Sequence, residues 1–254
     1  MSADSPPEPD FFDSFDGTRL AYYELGEGRP VVLLHGYISD AFTNWIRYGH
    51  AAAVAAAGFR VIMADLRAHG ASDKPHDPVA YPKDALTHDG HALVDHLGLT
   101  DYDLGGYSLG ARTVSRMLAT GATPRRVIFS GMGLEGLVDT WRRADHFRNA
   151  LSNLGSHERG TSAWFIEAFV KTTGGDPQAL LGVIETFADT PRAVLEALPQ
   201  EALVVCGAED RDNGSAPGLA EVLPHGRYIE VPGNHMSAVT KPELGRAMAE
   251  FLAR

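Results

Sequence analysis

The hexapeptide Gly105-Gly106-Tyr107-Ser108-Leu109-Gly110 sets one serine between glycines, after an apolar run and ahead of a segment with helical spacing. A serine at the tip of a tight strand-to-helix turn is held in a strained backbone conformation. Small residues two before and two after it let strand and helix approach without collision. The helix start puts unsatisfied backbone N–H groups and a positive dipole end beside the hydroxyl, where an oxyanion would develop. Ser108 is therefore the candidate nucleophile; a glycine-rich turn with a serine helix cap is the bland alternative.

A serine hydroxyl is a poor nucleophile at neutral pH, so a neutral imidazole must take its proton and later deliver it to the leaving group. Eleven histidines compete for that role. His235 stands in Val231-Pro232-Gly233-Asn234-His235, a loop between the last predicted strand and the last predicted helix. Loops at the C-terminal ends of parallel strands meet along one rim of a sheet, which brings His235 to the same rim as Ser108. His88, His91 and His96 fall on one predicted helix, but spacings of three and five do not put all three on one face. No metal site is read there, and no cofactor is expected. The single cysteine, Cys206, lies in the apolar run Ala202-Leu203-Val204-Val205-Cys206 and reads as a buried strand residue, with a reactive thiol as the alternative.

The elements that must position these residues follow from hydropathy. Phe11 to Phe15 and Leu20 to Leu25 flank the turn dipeptide Asp16-Gly17 and predict an antiparallel pair. Short apolar runs follow at Val31–Leu34, Phe59–Ala64, Tyr102–Leu104, Arg126–Phe129, Leu203–Cys206 and Tyr228–Val231, as a sheet buried on both faces requires. Between them lie helical patterns over 44–57, 84–97, 111–120, 216–223 and 241–252. That alternation predicts an α/β fold with a mainly parallel sheet.

Residues 131–200 break the alternation. They offer helical segments over 138–151, 162–172 and 177–187, a short piece near 191–197, and no good strand. Residues 11–130 and 201–254 are expected to form the core, residues 131–200 a helical lid subdomain, and residues 1–10 to lack fixed structure. Trp141, Trp164 and Phe165 on the insertion are candidates to line a pocket beneath it, the alternative being that they only fill the insertion's own core. Arg142, Arg143, Arg148 and Lys171 read as a solvated face rather than an anion trap.

From about Phe11 onward the chain resembles the α/β-hydrolase superfamily. Val32-Leu33-Leu34-His35-Gly36-Tyr37, then Asp65-Leu66-Arg67-Ala68-His69-Gly70-Ala71-Ser72-Asp73, then Gly-Tyr-Ser-Leu-Gly stand in that family's order. The resemblance implies a mostly parallel eight-stranded sheet flanked by helices, with a helical lid. It implies Ser108 as nucleophile, His235 as base, and an acid at the third residue after Gly207, which is Asp210. Glu209 and Asp212 are neighbours of the same chemistry, and Glu135 or Asp139 would serve if the acid followed the strand before the insertion. The oxyanion donors would be the backbone N–H groups of Tyr37 and Leu109, leaving the Tyr37 ring free to shape the pocket, while His35 and His69 organise loops. The chain lacks the His-Gly-Gly-Gly loop of some lipases.

Relatives that alkylate a carboxylate, such as epoxide hydrolases, carry aspartate where Ser108 stands, so serine points to acyl chemistry. A carboxylesterase acting on a small-molecule acyl substrate is the first expectation, and a carbon–carbon bond hydrolase or perhydrolase-like relative the second. A non-catalytic, ligand-sensing hydrolase fold is the reading from another class. A net charge of −11 over 254 residues argues against nucleic acid and against an anionic membrane surface. The acidic, proline-rich start has no basic and apolar signal pattern, and no apolar run approaches a membrane span, so a cytoplasmic protein is expected.

Overall fold

The inner strands are mostly apolar because both faces of their sheet are covered by helices. A computed structural model describes residues 7–254, apart from the side chains of Arg142 and Arg143; most of the N-terminal segment expected to lack fixed structure thus lies outside the described residues. Its expected end at residue 10 is corrected, since Asp10 already pairs with Tyr22.

The strands are β1 (Asp10–Asp13), β2 (Arg19–Leu25), β3 (Arg29–Leu34), β4 (Phe59–Ala64), β5 (Asp103–Tyr107), β6 (Arg126–Ser130), β7 (Glu201–Gly207) and β8 (Gly226–Val231). They form one eight-stranded sheet in the order β1-β2-β4-β3-β5-β6-β7-β8. β2 runs antiparallel to β1 and β4, and all other pairs are parallel. The hairpin turns at Gly17, whose φ of 81° is the left-handed conformation that glycine adopts freely.

α1 (His50–Ala56) and, at the end of the chain, α10 (Pro242–Leu252) pack against one face of the sheet. α2 (Ala85–His96), α3 (Leu109–Ala119) and, after β7, α9 (Ala216–Val222) cover the other. The single helix predicted over 44–57 is two elements. A π-helical turn spans Phe42–Ile46, and α1 begins only after Gly49, whose φ of 80° no continuous right-handed helix tolerates.

Between β6 and β7 lie α4 (Leu134–Val138), α5 (Ala144–Ser152), α6 (Ser162–Thr173), α7 (Pro177–Glu185) and α8 (Arg192–Glu196). The predicted helix over 138–151 is broken at Asp139, where φ and ψ of −144° and 70° leave the helical region. The Thr140 N–H and hydroxyl then both donate to Asp189 Oδ1, at 2.8 and 2.7 Å, and start a 3-10 turn. Among the described residues no helix is long and apolar enough to cross a membrane.

Candidate active site

Four loops at the C-terminal ends of parallel strands build the site. Ser108 follows β5, Asp210 follows β7, His235 follows β8 and Gly36-Tyr37 follow β3. Ser108 has φ 52° and ψ −109°, a conformation that costs an L-residue on the order of 1–3 kcal/mol and persists only where its surroundings over-determine it. They do so here. A Cβ on Gly106 would collide with the backbone of Gly110, and one on Gly110 with the carbonyl of Leu34, so only glycine lets β5, α3 and β3 meet this closely. The Ser108 N–H donates to the Ser130 carbonyl at 2.9 Å, which fixes the turn against β6.

The side chains of Ser108, His235 and Asp210 form a row. His235 Nε2 lies 3.0 Å from Ser108 Oγ, and its Nδ1 lies 2.8 Å from Asp210 Oδ2. With Nδ1 protonated toward the carboxylate, Nε2 is left as the acceptor for the serine proton. The Asp210 side chain is almost wholly buried. Burial opposes its charge, but the hydrogen bond from His235, that ring's charge and the Asp212 N–H outweigh it, and its pKa lies below the ordinary carboxylate value. Among the acids considered from sequence, Asp210 bonds the imidazole directly, while Glu135 accepts from the Ser215 N–H and the exposed Asp212 brings a carboxylate oxygen within 4.8 Å of the ring.

Side chains from elsewhere prepare the loop after β3. Asn44 Oδ1 accepts the Gly36 N–H at 3.0 Å, and His69 Nε2 accepts the Ile38 N–H at 3.1 Å. Both neighbours of Tyr37 therefore have their N–H groups engaged. No acceptor among the described residues meets the Tyr37 N–H or that of Leu109, the first residue of α3. His35 is tied in the same manner, its Nε2 accepting the Leu66 N–H at 2.9 Å. Burial lowers the pKa of both His35 and His69, which keeps them neutral acceptors. The loop bearing His69 is anchored by Arg67, buried beneath Asp16 and Asp89, with Nη1–Oδ2 and Nη2–Oδ1 distances of 2.6 and 2.7 Å.

Ser108 opens into a cleft of about 780 Å³. α5 and α6 contribute His146, Phe147, Phe165, Ile166 and Phe169 to its wall, and Glu209, Arg211, Asp212 and Met236 from the loops after β7 and β8 line it as well. Of the three aromatics expected there, Phe165 lines the cleft, while Trp141 and Trp164 do not. Ser162, Phe165, Ile166 and Phe169 share one face of α6 by their spacing of three and four, whereas Trp164 is rotated off it. It packs on the edge of Phe165, with ring centroids 5.1 Å apart. Trp141 sits on the 3-10 turn with 46% of its surface exposed. Tyr37 lines the cleft but is not free to move: its hydroxyl donates to the Leu180 carbonyl at 2.7 Å and its ring makes a T-shaped contact with Phe147, which fastens the loop after β3 to the insertion.

The histidines of α2 do not converge. His91 contacts the Thr120 hydroxyl, while His88 packs on Phe15 and His96 on Phe12. One group of possible metal ligands occurs among the described residues, Asp210, Asp212 and His235, and two of its members already bond each other in the row with Ser108. Cys206 Sγ–H donates to Asp210 Oδ2 at 3.3 Å, and burial pushes its ionisation well above the ordinary thiol range, so it is not a thiolate nucleophile. Arg148 and Lys171 pair with Asp145, Glu185 and Glu167.

A family model described as the alpha/beta hydrolase fold matches residues 29–128, the stretch from β3 into β6 that carries the Gly36-Tyr37 loop and the serine turn. Together with the sheet order and the helices on both faces, that match gives the chain the α/β-hydrolase fold. It is 32% identical over 159 residues to a non-heme haloperoxidase of Rhodococcus erythropolis, covering 56% of this chain and 53% of that protein. A non-heme chloroperoxidase of Kitasatospora aureofaciens is 34% identical over 112 residues, 43% of this chain and 38% of that one. The chain spans about half or less of the length of these curated relatives. Among solved structures, a bromoperoxidase from Bacillus anthracis superimposes with a TM-score of 0.77 at 23% identity, covering 97% of this chain and 100% of that one. A thermophilic esterase from Thermogutta terrifontis gives 0.78 at 22% identity, covering 97% and 98%. These likenesses concern the fold.

Proposed function

We propose that the chain is a serine hydrolase that cleaves carboxylic esters with an uncharged, largely apolar acyl group. The observation that carries this reading is the row Ser108 Oγ, His235 Nε2, His235 Nδ1, Asp210 Oδ2, at 3.0 and 2.8 Å, opening into the cleft. Ser108 Oγ attacks the acyl carbonyl as its proton passes to His235 Nε2. The Tyr37 and Leu109 N–H groups hold the oxyanion of the tetrahedral intermediate, and the imidazolium, steadied by Asp210, returns the proton to the departing alkoxide. A water deprotonated by His235 then attacks the acyl-serine and releases the acid. Residues 131–200 act as the lid, because α5 and α6 supply one wall of the cleft. The preference for a neutral acyl group rests on that wall's phenylalanines and on Glu209 and Asp212, whose two negative charges outnumber the positive charge of Arg211 in the cleft lining.

The similarity to proteins named haloperoxidases favours one second reading, in which hydrogen peroxide replaces water in attacking the acyl-serine and gives a peracid. The test is to label purified protein with a fluorophosphonate and to assay p-nitrophenyl esters from acetate to laurate, with and without peroxide. Labelling and turnover that both vanish in Ser108→Ala support the serine hydrolase, and peracid formed at the expense of acid moves the reading to the second. Labelling without turnover points to ligand sensing or to cleavage of another bond. A folded chain that takes no label refutes Ser108 as nucleophile.

A further inference from the structure

We infer that Tyr107 is a positioning residue whose hydroxyl ties the strand carrying Ser108 to the loop carrying His235, holding the histidine ring within reach of the serine oxygen. The inference rests on the serine hydrolase reading above.

The Tyr107 hydroxyl donates to the backbone carbonyl of His235 at 2.6 Å. Tyr107 immediately precedes Ser108 at the end of β5, whereas His235 follows β8, and two strands, β6 and β7, separate these in the sheet. The hydrogen bond therefore joins the end of β5 to a loop that no direct strand pairing aligns with it. The start of the histidine loop is held by the Glu209 N–H, which donates to the Gly233 carbonyl at 3.0 Å. Its far end is held by His50, whose Nε2 lies 2.6 Å from the Val239 carbonyl. Asn234 and Ser237 bond each other within the loop. Tyr107 fastens the middle, at the residue whose ring must meet Ser108.

The phenol is itself held in place. Tyr107 is only 4% exposed, and its ring lies on Gly131, where a Cβ would come within 2.6 Å of Cζ. The ring also lies beside the His235 ring, with centroids 5.4 Å apart. A donor locked by packing loses little further freedom when it bonds, so its hydrogen bond fixes the partner rather than following it. Burial first, then the negative charge of Asp210, pushes the phenol's ionisation well above its ordinary range, and the hydroxyl stays a donor wherever the histidine is a base.

The test is Tyr107→Phe in the full chain, which keeps the ring and removes one oxygen, assayed with p-nitrophenyl butyrate. Misplacing a catalytic group by about 1 Å costs on the order of a hundredfold. The expected result is a fall in kcat of about ten- to a hundredfold with KM changed less than about twofold, and a matching fall in the fluorophosphonate labelling rate. The same substitution placed in His235→Ala should lower the residual rate no further, because Tyr107 acts through that histidine. The inference is overturned by a kcat within about twofold of wild type, by an equal fractional loss in both backgrounds, or by a collapse of the melting temperature that marks the hydroxyl as a structural prop. A wild-type chain that neither hydrolyses ester nor takes the label overturns the functional reading and this inference with it. Turnover indifferent to Tyr107→Phe overturns the inference alone.

Discussion

Oδ2 of Asp210 accepts from both His235 Nδ1, at 2.8 Å, and Cys206 Sγ, at 3.3 Å, while Oδ1 accepts the Asp212 N–H at 3.0 Å. Both carboxylate oxygens are thus engaged by donors, and the group is held ionised and in one orientation. Replacing it by an amide keeps the shape but can turn an N–H toward the imidazole, which favours the tautomer whose Nε2 carries the proton and cannot accept one from Ser108. Asp210→Asn should lower kcat by about 10⁴-fold with little change in KM, as loss of the orienting acid does in serine proteases. Steady-state kinetics on a p-nitrophenyl ester decide it: a loss under about tenfold would remove Asp210 from the row.

The ion pair between Asp16 and Arg67 makes the fold sensitive to acid. Burial works against the Asp16 charge, but hydrogen bonds from Arg67 and Thr18 outweigh it and lower its pKa from 3.8 to about 2. A folded-state value below the unfolded one means that the stabilisation is complete above 3.8 and is lost as pH falls toward about 2. Asp16 is substantially exposed, so solvent screening limits the effect. Asp16→Asn should lower the melting temperature by about 1–3 °C at pH 6. Thermal scans should find the two proteins converging between pH 3.8 and about 2; a difference that stays constant through that window would assign the loss to packing rather than charge.

Phe165 and Trp164 are adjacent in sequence but should behave differently. Phe165 lines the cleft with 60% of its surface exposed, so removing its ring takes away substrate contact and little packing. Phe165→Ala should raise KM for a medium-chain ester about five- to tenfold, the worth of burying part of an aromatic ring, with a smaller fall in melting temperature than Trp164→Ala. Trp164→Ala should leave KM alone and lower stability, since its ring is half-buried against Phe165 and near Arg159. Equal effects of the two on KM would contradict the orientation of α6.

Much of the architecture was legible because the signals are local. A strand core such as Val61–Ala64 is a run of apolar residues that no exposed element could carry, and the tight turn at Ser108 demands small residues at 106 and 110 within one pentapeptide. The helices expected over 44–57 and 138–151 went wrong where periodicity runs on through residues whose backbone leaves the helix, Gly49 and Asp139. Hydropathy does not register that break. At Asp139 the cause is a partner fifty residues on, since Asp189 captures Thr140.

The sequence by itself determined the order of strands and helices, the sharp turn at Ser108, and the loop that brings His235 to the same rim, because each depends on neighbours a few residues apart. Tertiary structure alone decided which of five carboxylates meets the histidine, which loop N–H groups remain unengaged, and which aromatic of the insertion faces the cleft. Those outcomes depend on where side chains tens to hundreds of residues apart come to rest: Asn44 on Gly36, His69 on Ile38, Asp210 on His235. Local spacing sets the direction in which a residue points along its own element, and only the packing of elements sets what it meets there.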